Sequence, residues 1–209
     1  MSEPTILNFG CRLNAYEAEV MRRHAAGSGL GDAVIVTMAD GSDSPEDVVR
    51  YFRILRDEAD CAFGSRFMRG SQIHDYPRFK LFVNRLANFA IRLMFNTPYN
   101  DTTNAFKGYR ASVIEGCRPF VSPHFNLTIE IPLKAMVRGY SYKVVPISWR
   151  NRTVGESALK LKEQGSRYLY TLLTVWFEWL LVKRDTRRTD DGVFVPWEEP
   201  IPNPAEKPE

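Results

Sequence analysis

Cysteine and histidine are scarce, three of each in 209 residues. Cys11, Cys61 and Cys117 stand far apart with no CxxC pair. That excludes a disulfide framework and favours a reducing compartment. His24, His74 and His124 fall at unrelated spacings, so a histidine-built metal centre is not expected. GxGxxG, Walker A and GxSxG are absent, which removes the usual dinucleotide, P-loop and nucleophile-elbow chemistries. There is no internal repeat. Met1–Gly10 has neither the basic start nor the apolar run of a secretory leader, so none is expected. A membrane span needs roughly 20 apolar residues; Tyr168–Val182 falls short of that and is interrupted by Glu178.

What is present is ordinary for a globular chain. Apolar residues make up 44% and charged residues 25%, which excludes a disordered or collagen-like protein. The formal net charge of +3 hides an asymmetry. Residues 189–209 carry six acids and one lysine, net −5, leaving +8 on residues 1–188. A basic body suits phosphate-bearing partners or an anionic membrane surface. The tail, with five prolines, is expected to be disordered.

Along the chain, strands alternate with helices. Thr5–Phe9 reads as a strand, followed by a helix over about 14–26 that ends among Gly27, Gly29 and Gly31. Ala33–Thr37 reads as a buried strand opening onto a loop rich in carboxylates and turn formers. Ser44 is placed to cap a helix that has Pro45 first and Glu46 and Asp47 in its first turn. Cys61–Gly64 reads as a short strand. A strongly periodic helix spans 78–95, with Phe79, Phe82, Val83, Leu86, Phe89, Ala90 and Leu93 on one side and Arg78, Lys80, Arg85 and Arg92 on the other. A helix is expected over 126–138 despite Pro132, then a strand over Tyr142–Trp149. This pattern predicts an α/β sandwich with a mixed or largely parallel sheet. The tryptophan- and leucine-rich segment 167–188, flanked by Arg167, Lys183, Arg184, Arg187 and Arg188, reads either as a packed core helix or as an amphipathic helix in a membrane interface.

Several groups are placed to do chemistry. Asp40 and Asp43 follow a buried strand, where α/β sheets bind ligands. Hard oxygen ligands there suit Mg²⁺ or Mn²⁺ on a diphosphate; equally, they are acids favouring a helix N-terminus. Arg66, at a strand end, offers a bidentate fork for phosphate or is a plain surface arginine. Arg150 and Arg152 with Gly155 and Ser157 read as a phosphate-clamping lid or as a solvated basic loop. Asp101 and Glu130 are acids in apolar settings, costly to bury without a purpose, and either can orient an acceptor or act as a base.

Taken in order, these segments resemble family-2 glycosyltransferases of the dolichol-phosphate mannosyltransferase type and their bacterial polyprenyl-phosphate relatives. The likeness runs from about Val34 to Arg184. It rests on Ala39-Asp40 with Ser44-Pro45-Glu46, on Gly64-Ser65-Arg66, on Asp101 to Lys107, on Asn126 to Glu130, and on Arg152-x-x-Gly155-x-Ser157. The resemblance implies a GT-A-like fold, incomplete at its N-terminal half. It also implies inverting transfer of a hexose from a nucleotide sugar to a polyprenyl or dolichyl phosphate. Asp40 matches the second aspartate of the family's metal site, whose first position holds Met38; Asp43 is a further candidate ligand for Mg²⁺ or Mn²⁺. Asp40, Asp101 and Glu130 are the expected catalytic acids. Arg66, Arg152 and Ser157 are the expected contacts to donor or acceptor phosphates.

Residues 1–32 resemble something else. Ile6 to Asn14, followed by Glu17, Glu19 and Met21, is similar to the start of radical-SAM tRNA methylthiotransferases, in which the cysteine at the position of Cys11 helps hold an iron–sulfur cluster. The partner cysteines and the CxxxCxxC motif are missing, so no cluster is expected. The stretch reads as a remnant fused to the transferase-like part. The expected organisation is therefore a remnant over 1–32, a partial catalytic domain over 33–166, an interfacial helix over 167–188 and an acidic tail over 189–209. The expected function is that of a glycosyltransferase, impaired by loss of the donor-binding half, peripheral to the cytoplasmic face of a membrane and without a nucleic-acid partner. The alternatives are a non-enzymatic lipid-phosphate-binding module and, last, a tRNA methylthiotransferase fragment.

Overall fold

The computed structural model describes residues 6–9, 33–38, 42–122, 125–150, 161–181, 186–188 and 194–196. In chain order its elements are strand β1 (Ile6–Phe9), β2 (Ala33–Met38), helix α1 (Pro45–Asp57), β3 (Cys61–Ser65), β4 (Gln72–His74), helix α2 (Arg78–Phe95), β5 (Lys107–Arg110) and the short helix α3 (Ala111–Gly116). There follow α4 (Leu127–Val137), β6 (Tyr142–Pro146), β7 (Ser148–Arg150), α5 (Leu161–Leu181), β8 (Thr186–Arg188) and β9 (Phe194–Pro196).

Five strands form a mixed sheet in the order β1-β2-β5-β3-β6. β1 runs parallel to β2, and β3 parallel to β6, while β5 is antiparallel to both of its neighbours. The segment that resembles a foreign remnant thus supplies an edge strand, Ile6–Phe9 against Ile35–Met38. The single strand expected over Tyr142–Trp149 is divided. Pro146 closes β6 because it has no N–H to donate, and Ile147 N–H turns back to Ser65 O at 3.2 Å. β7 then leaves the main sheet and pairs with β4. Within the segment expected to be a disordered tail, Phe194–Pro196 pairs antiparallel with Thr186–Arg188.

Alternation along β3 divides the core. Ala62 faces α1, with Ile35, Tyr51, Ile54, Leu55, Phe106, Val145 and Ile147. Cys61 and Phe63 face the other way, with Tyr99, Tyr109, Val113, Ile131 and Tyr140. α1 starts as the sequence predicts: the Ser44 side chain accepts from Glu46 N–H at 3.3 Å and Pro45 opens the helix. It lies close on the sheet because Gly64 and Gly108 leave room for Tyr51 and Leu55; a Cβ at Gly108 would sit 3.0 Å from Leu55 Cδ1. Tyr51 stacks on Phe106 at 4.4 Å between centroids and donates to its carbonyl at 3.2 Å.

Behind the second face, Ile91 and Phe95 of α2, Ile129 and Leu133 of α4, and Val175 of α5 form a third cluster. Here the structure departs from the pattern in the sequence. α2 turns Asn88, Ile91 and Phe95 inward and leaves Phe79, Phe82, Leu86, Phe89 and Leu93 between 58% and 76% exposed. Leu169, Tyr170, Phe177, Leu180 and Leu181 of α5 are also exposed, while Tyr168, Leu172 and Trp176 of the same helix pack inward. One face of α5 is therefore packed into the core and the other is exposed. Glu178, the charge that interrupts its apolar run, accepts from Arg138 Nη2 at 2.6 Å. Among the described residues no helix is long and apolar enough to cross a membrane.

Candidate active site

β3 ends at Ser65, and Arg66 stands at the C-terminal end of a central strand, the position where α/β sheets gather ligands. Asp101 Oδ2 accepts from the Arg66 backbone N–H and from Nε, both at 2.9 Å, and Oδ1 accepts from Nη2 at 2.7 Å. This is a fork-on-fork ion pair with a third bond to the main chain. Both side chains are buried. The rings of Phe67, Tyr76 and Trp149 lie 5.4, 5.6 and 5.8 Å from the guanidinium carbon, within cation–π range. Burial opposes the charge on Arg66, but Asp101 outweighs it and holds the guanidinium well above its ordinary pKa.

The loop that carries Asp101 is fastened at each residue. Ser65 Oγ donates to Asn100 Oδ1 at 2.6 Å, and Asn104 Nδ2 and Tyr99 O–H both donate to Gly64 O, at 3.2 and 2.9 Å. On the other side, Thr103 N–H donates to Asn88 Oδ1 at 3.2 Å, while Asn88 Nδ2 donates to Thr103 Oγ1 at 2.9 Å. Thr103 O–H donates in turn to Asn84 Oδ1 at 3.1 Å. The inner face of α2 is thus bonded to the loop two residues from Asp101.

Lys107 closes the arrangement from below. Its ammonium is fully buried and donates to the carbonyls of Thr102, at 3.0 Å, Asn104, and Thr128, at 3.1 Å. Thr128 O is available because Pro132, four residues on, has no N–H to complete the helical bond. Burial pulls the Lys107 ammonium down to about 7, with Asp101 opposing the shift and Arg66 adding to it.

Glu130 sits in a second cluster. Its carboxylate accepts from Val121 and Ser122 N–H at 2.8 Å each and pairs with Lys134 at 2.9 Å. Burial pushes its pKa up, but these partners outweigh burial and hold it below the ordinary carboxylate value. Asp43 lies by the first cluster. Its Oδ2 accepts from Met38 N–H at 2.9 Å, and it bridges to Trp149, the ring over Arg66. The structure thus brings Arg66, Asp101 and the Asp43 segment to one end of the sheet and leaves Glu130 with α4. Asp40, Arg152 and Ser157 lie outside the described residues.

Among the described residues no three His, Cys, Asp or Glu side chains gather as metal ligands. Asp43 commits one oxygen to Met38 N–H. Among the described residues Asp43 is therefore a single candidate carboxylate for a divalent ion and needs a second ligand beside it. Reading the sequence missed the supports: Lys107 as an anchor, Asn84 and Asn88, and the aromatic wall of Tyr76 and Trp149. Two signals were available. Pro132 inside a helix announces a carbonyl in need of a donor, and two asparagines four apart on an apolar helix mark a polar contact.

No protein-family model matches the chain. It is similar to the polyprenol monophosphomannose synthase of Mycolicibacterium smegmatis, 30% identical over 132 residues, which cover 62% of this chain and 50% of that protein. The dolichol-phosphate mannosyltransferase of Pyrococcus furiosus is 26% identical over 149 residues, 68% of this chain and 41% of its own length. The undecaprenyl-phosphate mannosyltransferase of Micrococcus luteus is 25% identical over 130 residues, 61% and 53% of the two chains. The chain spans about half the length of these relatives. Among solved structures, glucosyl-3-phosphoglycerate synthase from Mycobacterium tuberculosis in complex with UDP aligns at a TM-score of 0.55 and 15% identity, covering 76% of this chain and 54% of that one. The same enzyme with Mn²⁺, UDP and phosphoglyceric acid aligns at 0.53 and 18% identity, covering 76% and 53%. The fold is GT-A-like, and the resemblance read from the motifs points to the same relatives.

Proposed function

We propose that this chain is the part of a glycosyltransferase that transfers a hexose from a nucleotide sugar to a polyprenyl phosphate at the cytoplasmic face of a membrane. The observation that carries the reading is the buried Arg66–Asp101 pair at the end of β3, in a chain similar to polyprenyl-phosphate mannosyltransferases. A lipid phosphate is already ionised, so the reaction asks for positioning and charge neutralisation more than for a strong base. Asp101 serves by fixing Arg66 and the 100–104 loop, and Glu130 by holding the 121–122 turn. Asp40 remains the carboxylate for direct contact with the reacting groups. Arg152 and Ser157 are assigned to phosphate oxygens. A divalent ion, as in the Mn²⁺ and Mg²⁺ complexes of the structural neighbours, would be held by Asp40 with Asp43 and would neutralise diphosphate charge.

The membrane belongs to the same reading. α2 presents five large apolar side chains and contains Arg78, Lys80, Arg85 and Arg92 with no acidic residue. Each basic group near an anionic surface contributes about 1 kcal/mol, and the exposed face of α5 extends the apolar area.

The test is hexose transfer to polyprenyl phosphate in anionic vesicles with Mn²⁺, beside calorimetric titration of nucleotide sugars. The expected result is weak donor binding and slow transfer, both lost in Asp101→Asn. Micromolar donor affinity with full turnover would overturn the impairment, since residues 1–32 would then form the nucleotide site. No transfer and no donor binding, with vesicle binding retained, would select the lipid-binding module instead.

A further inference from the structure

A cavity of about 410 Å³ opens between the turn that enters α4 and the first half of α5, away from the Arg66 cluster and lined by none of its residues. Two of its polar groups are unspent. Asn126 is only 6% exposed, yet its carboxamide makes no cap bond to α4 and has no other partner among the described residues. Its amide opens onto the cavity, where it is free to bond a ligand. Arg167, on α5, forms no ion pair among the described residues. The N-terminus of α4, an 11-residue helix, opens on the same space through Asn126 and adds its positive end.

The remaining walls narrow the chemistry. The Glu130 carboxylate beneath the cavity is neutralised by Lys134 and spent on Val121 and Ser122 N–H. Arg167 therefore sets the sign of the charge. Thr171 O–H donates to Arg167 O at 3.0 Å, so the 2.9 Å contact between Ser122 and Thr171 has Ser122 as donor. Ser122 then turns lone pairs toward the ligand. The site offers a guanidinium, an amide N–H and one acceptor. A phosphate monoester, whose second proton leaves near pH 6, complements all three when it carries one proton. Tyr170, 62% exposed, borders the cavity and continues into the exposed Leu169, Leu173 and Phe177 of α5, an apolar track for an ester substituent.

We propose that this cavity binds a phosphate monoester through Arg167 and Asn126, at a site separate from the reacting groups of the function proposed above. The test is titration calorimetry of the full chain, without sugar donor, using a short prenyl monophosphate, the corresponding prenyl alcohol and inorganic phosphate. Saturable binding of the prenyl phosphate is expected, weakened at least tenfold in Arg167→Gln and several-fold in Asn126→Ala, and unchanged in Lys143→Gln at the far edge strand. Prenyl phosphate binding at least tenfold tighter than inorganic phosphate identifies a lipid headgroup. Equal binding, with the same loss in Arg167→Gln, identifies free phosphate. If the alcohol binds as well as its phosphate, or if Arg167→Gln leaves prenyl phosphate binding intact, the proposal is overturned. Because no donor is present, a silent cavity in an active transferase refutes this site alone, and a filled cavity without turnover refutes the transferase reading alone.

Discussion

α2 and α4 are both helices rich in apolar residues, and they treat charge in opposite ways. α4 buries eight of its eleven residues, Glu130 and Lys134 among them, and makes the two charges satisfy each other and the neighbouring turn. α2 is the more amphipathic in sequence, yet its broad apolar stripe faces outward and its inner face carries Asn88. An apolar stripe says that two sides of a helix meet different surroundings. It does not say which side meets protein. Where the second surroundings are a lipid surface, the stripe and the core face part company.

The comparison breaks most sharply at the charges of α4. Glu130→Ala or Lys134→Ala strands a buried charge and is expected to cost about 3–5 kcal/mol, read as a lowered denaturant midpoint. Replacing both, as Glu130→Gln with Lys134→Met, should cost far less; an equal loss would mean that the turn at Val121 and Ser122, not the pairing, carries the effect. On α2, Asn88→Ala removes its bonds to Thr103 and Asn84 and should cost roughly 1–3 kcal/mol, with hexose transfer falling further than stability predicts. A transfer rate that merely follows the folded fraction would separate α2 from the Asp101 loop.

Lys107 gives a slope rather than a step. Above pH about 7 the folded chain holds a neutral amine, while the unfolded chain keeps its proton to about 10.4. Unfolding then takes up a proton, so this group makes stability rise as pH goes from 7 toward 10. The difference between wild type and Lys107→Met, followed by denaturation across that range, should show the slope; parallel curves would place the ammonium's pKa near its ordinary value. The smallest stability effect belongs to the outer face of α2. Phe82→Ser with Phe89→Ser should stay within about 0.5 kcal/mol per site in water, yet remove most sedimentation with anionic vesicles. A large loss of stability would show that the stripe is packed after all.

Much of the frame was legible. Ser44-Pro45 with Glu46 and Asp47 announces α1, and the structure caps it there. Arg66 and Asp101 are each singled out by their motifs, but only the structure shows them paired across 35 positions. What could not be read was how they use each other: a lone arginine and a lone aspartate both look available to a ligand until one is seen to occupy the other's fork. β5 was missed because Gly108 and buried Lys107 spoil the alternation of a four-residue strand. The split of β6 from β7 depends on Ser65 O receiving Ile147 N–H, a contact between distant segments that local pattern does not encode.

The proline of α4 and the lysine of β5 answer the same need. Pro132 leaves Thr128 O without its helical donor, and Lys107 supplies one from outside the helix. Any other residue at 132 would bring back an N–H to claim that oxygen, and Lys107 would lose one of its three anchors. Any shorter side chain at 107 would leave the oxygen bare in a dry interior. Neither position is free to drift while the other stands, so descendants of this fold should change them together or not at all.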